Sequence, residues 1–390
     1  MIDEKRILKN LNDFSFPRLS GTEFERESFN IAKQKIEDLN LIPQIQEFSF
    51  RIFYSRIYPK ISLSLLSWLL VVLFLNIQPI FNIVNLFLIL ISILILILLT
   101  RFPEKLKIGQ EYNSQNLFVN LPSQFKNKIS ENNIFLFSHL DSKGQAFSIK
   151  TRIQLYYIWI FSFPLSLIFN IFKFFIILED ILLYRILSFL ILIINCLTTV
   201  ILWLNTTNNN SKGAIDNASG ISCVLEILHY YSDPENRLKN IDLNFVFTGA
   251  EESGTMGVRN FYKKIRNFDR DKTFIINFDS IAKRVYLWDH GLLNNKYFKS
   301  NNFILENKDI MSLEKTRRIY IGTYSDGLFL LSKKFQGIGN GDKSSYNYIH
   351  SINDDVDKIK ITALKKLSQF YTILLNEVDI DLNEQSKSAD

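Results

Sequence analysis

Cysteine is nearly absent from this chain. Its 390 residues include two, Cys196 inside an apolar run and Cys223 inside an expected helix. That rules out a disulfide framework and a cysteine-based zinc site, and leaves any metal to histidine and carboxylate. Histidine is scarce as well, at four residues. The basic excess is small, 45 Lys and Arg against 39 Asp and Glu. The basic residues are not gathered into a stripe with interleaved aromatics, so no nucleic-acid partner is expected. No apolar stretch follows the opening Met1-Ile2-Asp3-Glu4-Lys5-Arg6, so no signal peptide is expected.

Charge is missing from four long stretches. Residues 61–77 form a 17-residue uncharged run and residues 80–100 a second, separated by Gln78-Pro79. At about 1.5 Å per residue the first spans roughly 26 Å, short of the ~30 Å hydrocarbon core, and the second is long enough. Residues 153–172 and 186–204 repeat the pattern around Lys173, Glu179, Asp180 and Arg185, with Trp159 and Trp203 near the expected interfaces. Soluble cores rarely need so many consecutive Leu and Ile. Two transmembrane hairpins, 61–100 and 153–204, are therefore expected, with the lipid bilayer as a partner. No ionisable residue lies mid-span to mark a transport path.

Residues 1–50, 108–150 and 205–380 read as one discontinuous soluble domain. Phe29, Ile31, Ala32, Ile36 and Leu39 have helical spacing, and residues 221–231 and 359–375 are also expected to be helical. Residues 42–50, 112–121, 133–138, 243–247 and 273–278 read as strands. Strand alternating with helix points to an α/β class, a mixed twisted sheet flanked by helices. The polar tail, 383–390, is expected to be disordered.

Five residues have the chemistry of a two-metal site: His139, Asp216, Glu252, Asp279 and His350. Catalytic zinc takes imidazole nitrogen and carboxylate oxygen, and a metal pair needs a carboxylate able to bridge both ions. His139, Glu252 and Asp279 each follow an apolar strand-like run, at residues 134–137, 243–247 and 274–278, where an α/β sheet forms its binding crevice. Asp216 precedes a helix, with Asn217 and Ser219 available as caps and Gly220 permitting close backbone approach. Asp141, two residues after His139, is placed to accept from the imidazole N–H and fix its tautomer. Glu251 and Glu252 diverge, so one can bind metal while the other takes a proton from water. Tyr346 and Tyr348 flank His350 and are candidate oxyanion donors. His229 and His290 fall in no such context and read as structural.

In order and wording these segments resemble the di-zinc exopeptidase family of bacterial leucyl aminopeptidases, aminopeptidase Y and glutamate carboxypeptidase. The segments that carry the likeness are Ser138-His139-Leu140-Asp141-Ser142, Asp216-Asn217-Ala218-Ser219-Gly220, Gly249-Ala250-Glu251-Glu252, Asn277-Phe278-Asp279 and the late His350. Pro17-Arg18-Leu19-Ser20-Gly21-Thr22, Ser325-Asp326 and residues 354–359 also look like the family's. The resemblance covers 1–50 and 108–380 and leaves the apolar hairpins outside. It implies two zinc ions per chain, with Asp216 bridging, His139 and Asp279 completing one site, and Glu252 and His350 the other. It also implies Glu251 as general base, Asp141 orienting His139, and Asp326 near the substrate. His139 and Asp216 are 77 residues apart; without residues 151–205 the gap is 22, so the second hairpin reads as an insertion. Two segments depart from the family: Gly337-Ile338-Gly339 stands where Gly-Ile-Pro is usual, and Ser325-Asp326-Gly327 where Ser-Asp-His is.

The expected function is a membrane-anchored zinc exopeptidase, an aminopeptidase acting on peptides. One alternative is a single-zinc acyltransferase similar to glutaminyl cyclases, which residues 139–143 resemble. The other is a catalytically silent receptor or scaffold on the same fold. Nine basic residues (Arg51, Arg56, Lys60, Arg101, Lys105, Lys107, Lys150, Arg152 and Lys212) flank the spans on the domain side. By the positive-inside rule, four helices span the membrane with the catalytic domain and both termini in the cytoplasm.

Overall fold

The structure, a computed structural model, describes residues 1–75, 78–125, 132–175, 182–288, 314–316 and 325–389. His290 and the turn residues Glu179 and Asp180 lie outside them. Helices are α1 (Glu4–Asp13), α2 (Glu23–Glu37), α3 (Tyr58–Leu75), α4 (Pro79–Thr100), α5 (Ile149–Phe175), α6 (Leu182–Trp203), α7 (Ser219–Ser232), α8 (Met256–Ile265), α9 (Asp326–Ser332) and α10 (Ile361–Ala389). Strands are β1 (Gln44–Arg51), β2 (Glu111–Leu121), β3 (Asn132–His139), β4 (Gly144–Gln145), β5 (Thr207–Asn208), β6 (Ile241–Thr248), β7 (Thr273–Phe278), β8 (Tyr286–Trp288), β9 (Glu314–Thr316) and β10 (Gln336–Gly341).

The chain divides into two compact units. Met1–Phe50, Tyr112–Gln145 and Asn208–Asp390 form the first; Arg51–Glu111 and Ala146–Thr207 form the second. The first is built on a mixed eight-stranded sheet in the order β1-β2-β6-β3-β7-β10-β8-β9. Its middle strands β6, β3, β7 and β10 run parallel. Parallel strands are covered on both faces, which is why β3 and β7 carry nearly continuous apolar runs; β6, paired antiparallel with β2 on its other side, alternates over its first half. Phe135, Phe137, Val246 and Ile275 of these strands pack with Val258 and Phe261 of α8 in one buried cluster.

Register sets up the site. His139 pairs with Thr248, and Asn340 with Phe278. The chain therefore leaves β3, β6 and β7 at one end of the sheet. β3 lies between β6 and β7, so the connections from it diverge and open a crevice at the carboxyl ends.

The second unit contains α3 to α6, each long and apolar enough to cross a membrane. The first span, Phe53–Leu75, is 23 residues long. It exceeds the 17-residue uncharged run because the helix extends back through Lys60 and Arg56, whose long side chains can carry their charge to an interface. The expected shortfall against the bilayer is thus corrected to roughly 34 Å of helix. A buried polar cluster ties α3, α5 and α6. Ser67 donates to Asn195 at 2.7 Å, Trp159 Nε1 to Thr199 at 2.9 Å, and Asn195 Nδ2 to Ser162 at 3.0 Å. In a membrane such contacts contribute about 0.6 kcal/mol each. α4 leaves much of its apolar surface uncovered, with Phe87 and Leu90 each 61% exposed.

The tail differs from expectation. α10 runs to Ala389, through residues expected to be disordered. Between residues 361 and 389 the chain has no Gly or Pro to stop a helix, and its Glu, Gln, Lys and Ala are helix formers.

Candidate metal centre

All five proposed ligands converge at the carboxyl end of the sheet. His139 ends β3, Glu252 lies in the loop after β6, and Asp279 directly follows β7. His350 sits six residues before the short helical turn Val356–Lys358, with φ of 60°. Asp216 lies in the irregular turn Ala214–Ala218 that opens α7. Gly220, at the start of α7, accounts for the close packing there. A Cβ would lie 2.5 Å from the Phe278 carbonyl oxygen and 2.4 Å from Asn217 Oδ1. Asn217 Nδ2 in turn donates to Phe278 O at 2.8 Å, tying the Asp216 turn to the end of β7.

The donor atoms form two overlapping triads, His139, Asp216 and Asp279, and Asp216, Glu252 and His350. Asp216 belongs to both. Its Oδ1 lies 3.1 Å from His139 Nε2, and its Oδ2 lies 3.1 Å from His350 Nε2. Asp279 Oδ1 is 3.9 Å from His139 Nε2, and Glu252 Oε1 is 2.7 Å from His350 Nε2. Ligand atoms on a tetrahedral zinc with bonds of ~2.0 Å are about 3.3 Å apart, a value these separations bracket.

The far sides of both imidazoles also fit a metal. His139 Nδ1 lies 3.0 Å from the Asp141 carbonyl oxygen, and His350 Nδ1 lies 3.2 Å from Gln145 Oε1. Both partners are acceptors, so with a metal bound each Nδ1 would keep its proton and each Nε2 would be left to ligate. Glu252 Oε1 is buried and faces His350 Nε2 of the same triad, the setting of a ligand atom beside its fellow ligand.

Charge balance is the main electrostatic fact of the site. Burial pushes the Asp216 carboxyl up, but hydrogen bonds from His139 and His350 outweigh it and hold it well below the usual range. Burial likewise opposes Glu252, which His350 and the Lys143 ammonium lower to about 2. Glu251 goes the other way. Burial, then the Glu252, Asp326 and Asp279 carboxylates, drive it well above the ordinary value despite His139. Divalent cations among these carboxylates would reverse that trend.

Asp141 sits beside His139. Its Oδ1 is 3.4 Å from His139 Nδ1, and its backbone oxygen is 3.0 Å away. The carboxylate also accepts the amides of Glu251 and Glu252, both at 3.0 Å, and the Ser20 hydroxyl at 2.5 Å.

Asp326 begins α9, is buried, and accepts from Thr248 Oγ1. Burial pushes it up to about 7. Tyr348 has the Lys283 and Lys358 ammonium groups 5.9 and 5.8 Å from its ring, and Tyr346 is half-buried on the same turn. His229 is half-buried on the last turn of α7.

The sequence assigned no role to four residues here. Lys143 Nζ pairs with Glu252 Oε2 at 2.7 Å. Gln145 backs His350. Asp354 accepts the Ile215 amide at 2.6 Å. Glu25 accepts the Ala250 amide at 2.7 Å. Glu25 carried a readable signal, because it falls on the buried stripe of α2 with Ser28, Phe29, Ala32 and Ile36, where a lone carboxylate needs a reason.

Residues 198–373 match the model of Peptidase family M28. Three solved structures are similar. An aminopeptidase from Aneurinibacillus sp. strain AM-1 is 12% identical with a TM-score of 0.57, over 96% of this chain and 93% of that one. BSAP, a zinc aminopeptidase from Bacillus subtilis, is 12% identical with a TM-score of 0.55, over 97% and 95%. A Fimbriiglobus ruber glutaminyl cyclase is 12% identical with a TM-score of 0.55, over 96% and 95%. No curated protein sequence matches. The fold is that of the zinc aminopeptidases, and the resemblance read from the motifs is borne out.

Proposed function

We propose that this chain, matched to Peptidase family M28 across most of its ligand-bearing sequence, is a membrane-anchored, two-zinc exopeptidase, most simply an aminopeptidase. The observation that carries this reading is Asp216, whose two oxygens face two separate histidine and carboxylate pairs. His139, Asp216 and Asp279 would hold one ion, and Asp216, Glu252 and His350 the other. Zinc bound there would supply Lewis acidity, polarising a scissile carbonyl and acidifying water toward pKa ~7.

The protein's own groups do the rest. Glu251 takes the proton from the attacking water and returns it to the leaving amine. Asp141 holds the amides of both glutamates, so the base and its neighbouring ligand keep their relative direction. Aminoacyl anilides against N-blocked peptides test the specificity: cleavage confined to free amino termini supports an aminopeptidase, and cleavage of blocked substrates contradicts it.

A second reading has one observation in its favour. Lys143 pairs with a ligand carboxylate, and residues 139–143 resemble glutaminyl cyclases. Peptides with N-terminal Gln decide between them. Ring closure with ammonia release and one zinc per chain supports the cyclase; hydrolysis supports the peptidase.

The four apolar helices, with α4 so largely uncovered, support membrane anchoring. The basic flanks support an orientation with the catalytic unit and both termini in the cytoplasm. A single cysteine placed between residues 173 and 185, in a Cys196→Ser and Cys223→Ser background, is expected to react with an impermeant maleimide on intact cells. Reaction confined to cysteines in the catalytic unit contradicts this orientation.

A further inference from the structure

Glu25 is a carboxylate that the chemistry above leaves unused. It is 4% exposed on α2. Its Oε1 accepts the Ala250 amide at 2.7 Å and the Ser114 hydroxyl at 2.8 Å, and its Oε2 accepts the Gly21 amide at 2.6 Å. Ala250 has φ of 49°, in the left-handed region that an alanine occupies only at a cost. The next two amides, of Glu251 and Glu252, end on Asp141. Three consecutive amides of one strained turn are therefore held by two buried carboxylates from separate parts of the chain. Burial, then the nearby Asp141, pushes Glu25 up to about 8, so an acidic side chain stands here where its charged form is penalised.

We propose that Glu25 is a positioning residue that fixes the Ala250 amide and so sets the direction in which Glu251 and Glu252 leave the turn. The inference rests on the reading of Glu252 as a ligand and Glu251 as the base. A gap at Glu25 would let Ala250 relax toward ordinary backbone and swing both glutamates.

Glu25→Gln and Glu25→Leu, made in the full chain in detergent, test it. The measurements are the chelator concentration that removes half the zinc, kcat and KM, and the melting midpoint. Gln keeps the shape but turns an N–H toward either Gly21 or Ala250, both of which already donate. Glu25→Gln is expected to lose zinc at about tenfold lower chelator, with kcat down about tenfold and KM within about twofold, as seen when partners behind metal ligands are removed. Glu25→Leu is expected to go further in the same direction. Ser114→Ala, which removes a donor to Glu25 but leaves its bonds to the Gly21 and Ala250 amides, is expected to match the wild type. If Glu25→Gln lowers only the melting midpoint, with zinc retention and kcat unchanged, Glu25 is a packing residue and the proposal is overturned. A wild type that binds zinc but hydrolyses no peptide would sink the peptidase reading alone, since zinc retention still reports on Glu25.

Discussion

Glu251→Gln is expected to lower kcat by about 10²- to 10⁴-fold while zinc content stays at the wild-type value. The side chain belongs to neither donor triad, yet it is buried beside Glu252 and held by its amide on Asp141. Gln preserves volume and can still accept a hydrogen bond, but it has no basic oxygen to take a proton from water. The loss should therefore appear in kcat, with KM little changed. Zinc analysis on the same preparation separates the two glutamate roles. If Glu251→Gln sheds zinc together with activity, and Glu252→Gln keeps its zinc, base and ligand are assigned the wrong way round.

Asp216→Ala is expected to be more severe, with both ions lost and no activity left to measure. One carboxylate spans the two histidines at 3.1 Å on each side, so its removal takes a ligand from both triads at once. Loss of a group behind a metal ligand already weakens binding about 10- to 100-fold, and loss of a shared ligand should exceed that at each site. Asp279→Ala provides the contrast, since Asp279 belongs to one triad only. It is expected to retain about one zinc per chain, held by Asp216, Glu252 and His350. Asp216→Ala protein that keeps a full complement of zinc would exclude a bridging role.

The central strands and the ligand sites were legible in the sequence for the same reason. β3 and β7 are buried on both faces and read as apolar runs, β6 becomes one over Phe245–Phe247, and each hands over to polar residues at the crevice. β10 was not legible. Its sequence, Gln336-Gly337-Ile338-Gly339-Asn340-Gly341, has almost no strand formers. It is a strand because β7 and β8 flank it, and Gly337 is there because a Cβ would lie 2.2 Å from the Ile275 carbonyl oxygen. Composition also misplaced the start of the first span, Phe53–Leu75, where Arg56 and Lys60 precede the run that reads apolar only from residue 61.

The supporting shell was the least visible layer. Arg18 is fully buried, and its guanidinium donates to Leu140 O at 2.8 Å and to Lys212 O at 2.8 Å, linking the segments that carry His139 and Asp216. These two partners are backbone carbonyls far away in sequence, which no local pattern encodes. Asp141 shows the same limit. Its spacing from His139 correctly drew notice, but the amides of Glu251 and Glu252 that it holds lie more than a hundred residues on.

Zinc per chain, counted on purified protein in detergent beside its hydrolysis of unblocked peptides, is the most direct test. The expected result is two zinc ions per chain, with hydrolysis lost on chelation and restored by zinc. A single ion per chain, or hydrolysis that survives complete zinc removal, would contradict a shared Asp216 as the centre of this site.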